Sequence, residues 1–248
     1  MIIYYSATGN SKHVALKVQE AFKGDLIDIC EYDQQSSFYL EDEETLFLVT
    51  FNCFWGISAH MEAFIRENEF KNVSKIVAIL TCGGYLGGAD GSLEKIFFEK
   101  GLPKPTVYSL VMVTNYSILH DIPTLKIQKK KLLRAEKELD RILEGKKRPY
   151  RSNRFIRSIT PKIHEEYEKK RITSLFSVND SCISCGICVK NCPVNAMEMG
   201  GKTPSWVLPK CDNCLRCLHH CPVDAINYGD STQNRLRYTY ESCFKEDL

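Results

Sequence analysis

The sequence predicts two units of different architecture: a doubly wound α/β domain with a five-stranded parallel sheet over residues 1–145, and a smaller α+β domain over residues 177–230. Two observations predict them. In the first unit, short apolar runs alternate with stretches of helical periodicity, the pattern of βαβ units around a parallel sheet. In the second, one cysteine phrase is written twice at a constant offset of 29 residues, from Cys182 to Cys211. Such a repeat implies a small pseudo-symmetric domain. A basic, partly helical linker at 146–176 joins the two, and a tail at 231–248 follows.

Residues 2–5 (IIYY) read as a short buried strand that runs into Ser6-Ala7-Thr8-Gly9-Asn10-Ser11. Val14, Ala15, Val18 and Phe22 then share one helical face. GDLIDIC (24–30) reads as the second strand. TLFLVT (45–50) and KIVAILT (75–81) are continuous apolar runs, as strands buried on both faces should be. TVYSLVMV (106–113) is the fifth. Helical patterns over 58–68, 89–100 and 124–144 separate them.

The loop after the first strand offers backbone N–H groups and the positive end of a helix dipole to an anion. Ser6, Thr8, Asn10 and Ser11 add side-chain donors, and Gly9 allows close approach. With one glycine it is neither a Walker loop nor a dinucleotide fingerprint; an ordinary capped helix start is the alternative. Two more loops lie at the carboxyl ends of strands, where open α/β sheets bind ligands. One is Phe51-Asn52-Cys53-Phe54-Trp55-Gly56. The other is Thr81-Cys82-Gly83-Gly84-Tyr85-Leu86-Gly87-Gly88. Aromatic faces beside exposed amides suit a flat heteroaromatic ring with polar edges. Asn115 and Tyr116, after the fifth strand, sit near the same edge. Cys53 and Cys82 read as redox thiols or, as is commoner, as buried inert ones, and Cys30 and Cys243 have no evident partner.

The cysteine phrase is Cys182-x2-Cys185-x2-Cys188-x3-Cys192-Pro193, then Cys211-x2-Cys214-x2-Cys217-x3-Cys221-Pro222. It is the bacterial iron–sulfur ligation run. Two intervening residues let a tight loop present three thiolates to one cubane, while the fourth cysteine serves the other cluster. Cluster one is therefore assigned to Cys182, Cys185, Cys188 and Cys221, and cluster two to Cys211, Cys214, Cys217 and Cys192. Structural zinc normally takes two pairs of ligands, and a disulfide framework requires an oxidising compartment. His219 and His220, between cluster ligands, read as surface residues or as groups that tune a potential.

Hydrophobic residues make up 44% of the chain and charged residues 26%, ordinary for a soluble protein. No run reaches the length of a membrane span, and the opening residues lack the features of a signal peptide. A cytoplasmic location without membrane insertion is expected. Residues 146–176 carry 10 basic against 3 acidic side chains, while residues 1–145 carry 16 against 20. This basic stretch is expected to pack between acidic domains or to dock an acidic redox partner, and nucleic acid is not expected. Pro161 is expected to open a helix reaching about Arg171.

On these motifs residues 177–230 resemble the two-cluster bacterial ferredoxins, and the Ser6–Ser11 loop resembles the FMN-phosphate loop of flavodoxins. The whole chain resembles the flavodoxin–ferredoxin fusion proteins of anaerobic bacteria and archaea. The resemblance implies a flavodoxin-like sheet of order 2-1-3-4-5, FMN held by the three loops, and two 4Fe–4S clusters. Phe54 or Trp55 would stack on one face of the flavin and Tyr85 would cover another part; Phe51, Asn52, Gly56, Thr81, Cys82, Gly83, Gly84 and Gly88 would border it. It departs from the family in FNCFWG, which lacks the Pro-Tyr type of residue after the third strand. The function implied is electron transfer between clusters and flavin, with redox proteins as partners. The alternative is a ferredoxin-dependent flavin oxidoreductase acting on a small acceptor. The oligomeric state stays open, a homodimer included.

Overall fold

The computed structural model describes residues 1–31, 37–40 and 45–244. Five strands form its main sheet: β1 (Ile2–Tyr4), β2 (Leu26–Asp28), β3 (Thr45–Cys53), β4 (Lys75–Cys82) and β5 (Thr106–Val111). They are parallel and lie in the order 2-1-3-4-5. In register, Ile3 lies between Ile27 and Leu48, and Ile79 lies between Val49 and Tyr108.

Alternation along β1 sends Ile3 and Tyr5 to one face, Ile2 and Tyr4 to the other. On the first face pack α2 (Ala59–Glu67) and α3 (Ala89–Glu99), through Met61, Phe64, Leu93 and Phe97. On the second pack α1 (Asn10–Phe22) and α4 (Leu125–Leu143), through Val14, Val18, Leu132 and Leu139. Each of these helices buries one apolar stripe, which is why the sheet needs them on both sides.

β2 is shorter than the apolar run predicts. The Asp28 carboxylate accepts the Cys30 N–H at 3.1 Å, and this Asx turn leads the chain into a 3-10 turn at Ile29–Glu31. The helix expected to open at Pro161 begins earlier. In α5 (Arg154–Lys170), the Asn153 side chain caps the Ile156 N–H at 2.9 Å and Pro161 sits inside the helix. The Asn cap sets the start, and the proline costs the bond its missing N–H would make. The linker is thus mostly a long helix docked on the sheet domain.

The second unit contains β6 (Phe176–Val178), α6 (Ile187–Lys190), a hairpin of β7 (Met197–Gly200) and β8 (Thr203–Trp206), α7 (Arg216–His219) and β9 (Ile226–Tyr228). β6 and β9 pair antiparallel. The sequence repeat persists in single dihedral angles. Ser184 and Asn213, Gly186 and Leu215, and Asn195 and Asp224 are all left-handed, with φ between 48° and 69°. Each pair is 29 residues apart. Among the described residues no helix is long and apolar enough to cross a membrane.

Candidate functional site

The carboxyl edge of the sheet carries two adjoining cavities. The smaller, of about 60 Å³, is lined by Ser6, Ala7, Thr8, Asn10 and Ser11 with Thr81, Cys82 and Gly83. Local bonds set its shape. Ser6 Oγ accepts the Gly9 N–H at 3.1 Å, Asn10 Nδ2 donates to Val113 O at 3.0 Å, and Ser11 Oγ lies 3.0 Å from Thr81 Oγ1. Asn115 Nδ2 donates to Thr8 Oγ1 at 2.9 Å. Gly9, at φ 96°, precedes α1, a conformation that disfavours any side chain. Hydroxyls and the N-terminus of a 13-residue helix converge here, and among the described residues no Lys or Arg lines the cavity. Such a site suits a phosphate held by amides and hydroxyls.

The larger cavity, of about 520 Å³, shares Phe51, Asn52, Gly83, Thr114, Asn115 and Tyr116 with the smaller. Its wall also carries Cys53, Phe54, Trp55, Gly84 and Tyr85. The residues Gly56–Ile57 fold back on the end of β3, pairing Cys53 with Gly56. Phe54 and Trp55 form the tip at φ 44° and 64°. Two consecutive left-handed residues match the geometry of a type I′ turn, and for bulky aromatics this is strained backbone. Packing holds it. Phe54 meets Tyr116 edge-on at 5.3 Å and Trp55 meets Tyr85 edge-on at 5.7 Å.

Two buried oxygens on the walls, Asn52 Oδ1 and Asn213 Oδ1, have no hydrogen-bond partner among the described residues. Buried acceptors left alone cost free energy, so both suit a ligand with N–H donors on its edge. Flavin is such a ligand, and the pair of cavities fits its ring and its phosphate. The Cys82 thiol is pushed up by burial, which keeps it protonated and unreactive.

Three of the expected loop residues do not line either cavity. Gly9 turns its open side to Tyr240, Gly56 to His164 and Gly88 to Thr160. A Cβ on Gly88 would stand 2.0 Å from Thr160 Oγ1, so this glycine seats α5 rather than a ligand. The cavity wall also includes Leu119, His120, Ile163, Asn213 and Cys214. None is adjacent in sequence to the three loops; Cys214 carried a sequence signal only as a cluster ligand, and Asn115 and Tyr116, on the same wall, only as residues following the fifth strand.

The eight cysteines of the two phrases line two further cavities. One holds Cys182, Cys185, Cys188 and Cys221 on its wall; the other holds Cys192, Cys211, Cys214 and Cys217. Each takes three cysteines from one phrase and the last from the other. All are free thiols. Among the described residues no three His, Cys, Asp or Glu side chains meet closely enough to hold a single metal ion. Four thiols spread around a cavity instead suit a polynuclear cluster. Backbone N–H groups of Ala196, Asn213 and Ala225 point at Sγ of Cys192, Cys211 and Cys221, each at 3.3 Å. Such bonds favour thiolate and tune cluster potentials.

Cys214 lines both its own cysteine cavity and the large cleft. Asp212, between the ligand cysteines, is buried and accepts from Tyr5 Oη at 2.7 Å, the His60 N–H at 3.0 Å and Tyr167 Oη at 2.7 Å. Asn213 Nδ2 donates to Tyr116 Oη at 3.0 Å and Lys170 O at 2.7 Å. The cysteine loop is therefore fastened to β1, α2, α5 and the cleft wall.

The chain joins a flavodoxin-like α/β fold to a small ferredoxin-like unit. Residues 174–222 match the family model for the 4Fe-4S dicluster domain. A 25-residue stretch is 60% identical to a ferredoxin of Acetoanaerobium sticklandii, covering 10% of this chain and 45% of that protein. The match thus spans less than half the length of that relative. A proposed flavoprotein of Bacteroides uniformis aligns in structure at 14% identity and TM-score 0.36, over 45% of this chain and 90% of its own. Another, from Bacteroides eggerthii, aligns at 17% identity and TM-score 0.32, over 43% and 85%. The fold assignment rests on strand order and register, not on these two distant likenesses.

Proposed function

We propose that this chain is an electron-transfer flavo-iron–sulfur protein, with FMN in the two adjoining cavities and a 4Fe–4S cluster in each cysteine cavity. Clusters exchange single electrons, and a flavin exchanges one or two. The observation that carries the reading is Cys214, which stands on the wall of both the cleft and a cysteine cavity. Asp212 and Asn213 keep that loop against the cleft, Phe54 and Trp55 wall it, and the Ser6–Ser11 loop presents donors to a phosphate. Cys185 is exposed, so the cluster of Cys182, Cys185, Cys188 and Cys221 is the side nearer an outside redox protein. Residues 1–145 serve as the flavin unit and 177–230 as the dicluster unit.

Anaerobically prepared protein should contain about eight irons and one FMN per chain. Stoichiometric zinc with little iron, or a chain that takes up no flavin, would end the proposal. One observation favours a second reading. Leu119, His120 and Ile163, outside the three flavin loops, extend the cleft wall; this favours an oxidoreductase acting on a small acceptor. Ferredoxin-dependent turnover of such an acceptor, absent in protein stripped of flavin, would establish that activity.

A further inference from the structure

His219 and His220 lie between Cys217 and Cys221, and the tail follows β9. Both reach back to the loops at the sheet edge. His219 is buried; its Nε2 lies 2.6 Å from Asn115 O and its Nδ1 accepts the Tyr238 N–H at 3.2 Å. The second bond places the ring proton on Nε2, which donates to the carbonyl. His220 Nε2 lies 3.1 Å from Ala7 O. From the tail, the Tyr240 N–H donates to Thr8 O at 2.7 Å. Tyr238 Oη donates to Asn10 Oδ1 at 2.6 Å, which leaves Asn10 Nδ2 directed at Val113 O. Gly9 packs on Tyr240, where a Cβ would stand 2.8 Å from the tyrosine Cβ.

Two successive carbonyls of the Ser6–Ser11 loop, the Asn10 side chain and the Asn115 carbonyl are thus held by residues 219–240. A planar trans peptide fixes its N–H once its carbonyl is fixed. Directing Ala7 O and Thr8 O at the clasp therefore directs the N–H groups of Thr8 and Gly9. His219 ends α7 and His220 caps it; a four-residue helix is too short to stand without its surroundings. Ligation of Cys214, just before α7, and of Cys217, within it, supplies that order.

We propose that α7 and the tail form a clasp on the phosphate loop, so that flavin affinity depends on assembly of the cluster held by Cys192, Cys211, Cys214 and Cys217. This rests on reading the small cavity as a phosphate site. Coupling of this kind is reciprocal: bound flavin should also slow loss of that cluster. Assembly then runs in order, iron first and flavin second, and protein without its clusters holds flavin weakly.

The test has two arms. In iron-replete full-length protein, FMN dissociation constants are measured by flavin fluorescence for the parent, Tyr238→Phe, His220→Ala and His220→Gln. Tyr238→Phe and His220→Ala should each weaken binding about threefold to tenfold, the range of one hydrogen bond. His220→Gln, which keeps a donor, should recover most of the loss. In the second arm, amide hydrogen exchange at residues 6–11 is compared in flavin-free protein with and without iron. Exchange there should slow at least about tenfold on cluster loading. Equal exchange in both states overturns the clasp, whatever flavin does, and so do unchanged dissociation constants in both weakening variants. Exchange that responds to iron in a protein that binds no FMN leaves the clasp standing and removes the flavin reading.

Discussion

Asp212 ties together three distant stretches of the chain, and nothing in the sequence singles it out. Between Cys211 and Cys214 it reads as one loop residue among several. Folding buries it against Tyr5, His60 and Tyr167, which are 207, 152 and 45 positions away. Both phenols are pushed well above the usual tyrosine range, first by burial and then by the Asp212 charge, so they remain donors. Asp212→Ala removes the carboxylate and strands the Tyr5 hydroxyl and the His60 N–H, while Tyr167 Oη keeps the main-chain carbonyl of residue 212 at 2.9 Å. The loss should be about 2–4 kcal/mol of unfolding free energy, on the scale of buried groups left unpaired, measured by denaturant titration of anaerobic protein. An unchanged midpoint would rule out this role. Asn10 is legible from its place in the Ser6–Ser11 loop, although the partners of its side chain are 103 and 228 positions away. Asn10→Ala deletes a bond to Val113 O and another to Tyr238. It should weaken FMN binding by about tenfold or more while iron content stays at the parent level; equal loss of both cofactors would show a general folding defect instead.

At the scale of elements, propensity and periodicity located strands and helices, and local hydrogen bonds decided their ends. The Asx turn at Asp28 cut β2 short, and the Asn153 cap started α5 a full two turns before Pro161. The basic stretch reads as charge in the sequence; in the fold one arginine accounts for much of its docking. Arg157 Nη1 lies 2.8 Å from Glu94 and the same guanidinium binds Asp90, four residues earlier on α3 and buried. The hydrogen bond from Arg157 holds the Glu94 carboxyl below its usual range. A carboxyl depressed in the folded state contributes stability above its unfolded value and loses it as pH falls through the folded one. Arg157→Ala should therefore cost about 1–3 kcal/mol near neutral pH, discounted from a fully buried pair because the arginine is partly exposed. The gap to the parent should narrow as pH drops below the ordinary carboxylate range. Thermal unfolding across pH would show this; a gap independent of pH would mean that Arg157 acts by packing alone.

At the scale of the molecule, the two units were legible because each repeats a local pattern: strand and helix in one, a cysteine phrase in the other. What the sequence hid is their mutual fit. Tyr116, Ile163, Asn213 and Cys214 come from three separate stretches and meet on one cleft wall, and a tail with no motif of its own reaches Asn10. One long-range relation is suggested by spacing, the exchange of the fourth cysteine between phrases, and the two cysteine cavities group the thiols in the same way. It yields a prediction that separates crossed from uncrossed ligation. Cys192 belongs to the first phrase yet lines the cavity of Cys211, Cys214 and Cys217. If ligation is crossed, Cys192→Ala damages the centre beside the large cleft and spares the outer one. Iron should fall from about eight toward about four per chain. The spectroscopic signal lost should match that lost in Cys214→Ala and differ from that lost in Cys185→Ala. If each phrase served its own cluster, Cys192→Ala would instead pair with Cys185→Ala. The two patterns are mutually exclusive, and low-temperature magnetic resonance of the reduced variants distinguishes them. Under crossed ligation Cys192→Ala should also slow reduction of bound flavin by an external ferredoxin, because the site that adjoins the cleft is the one disabled.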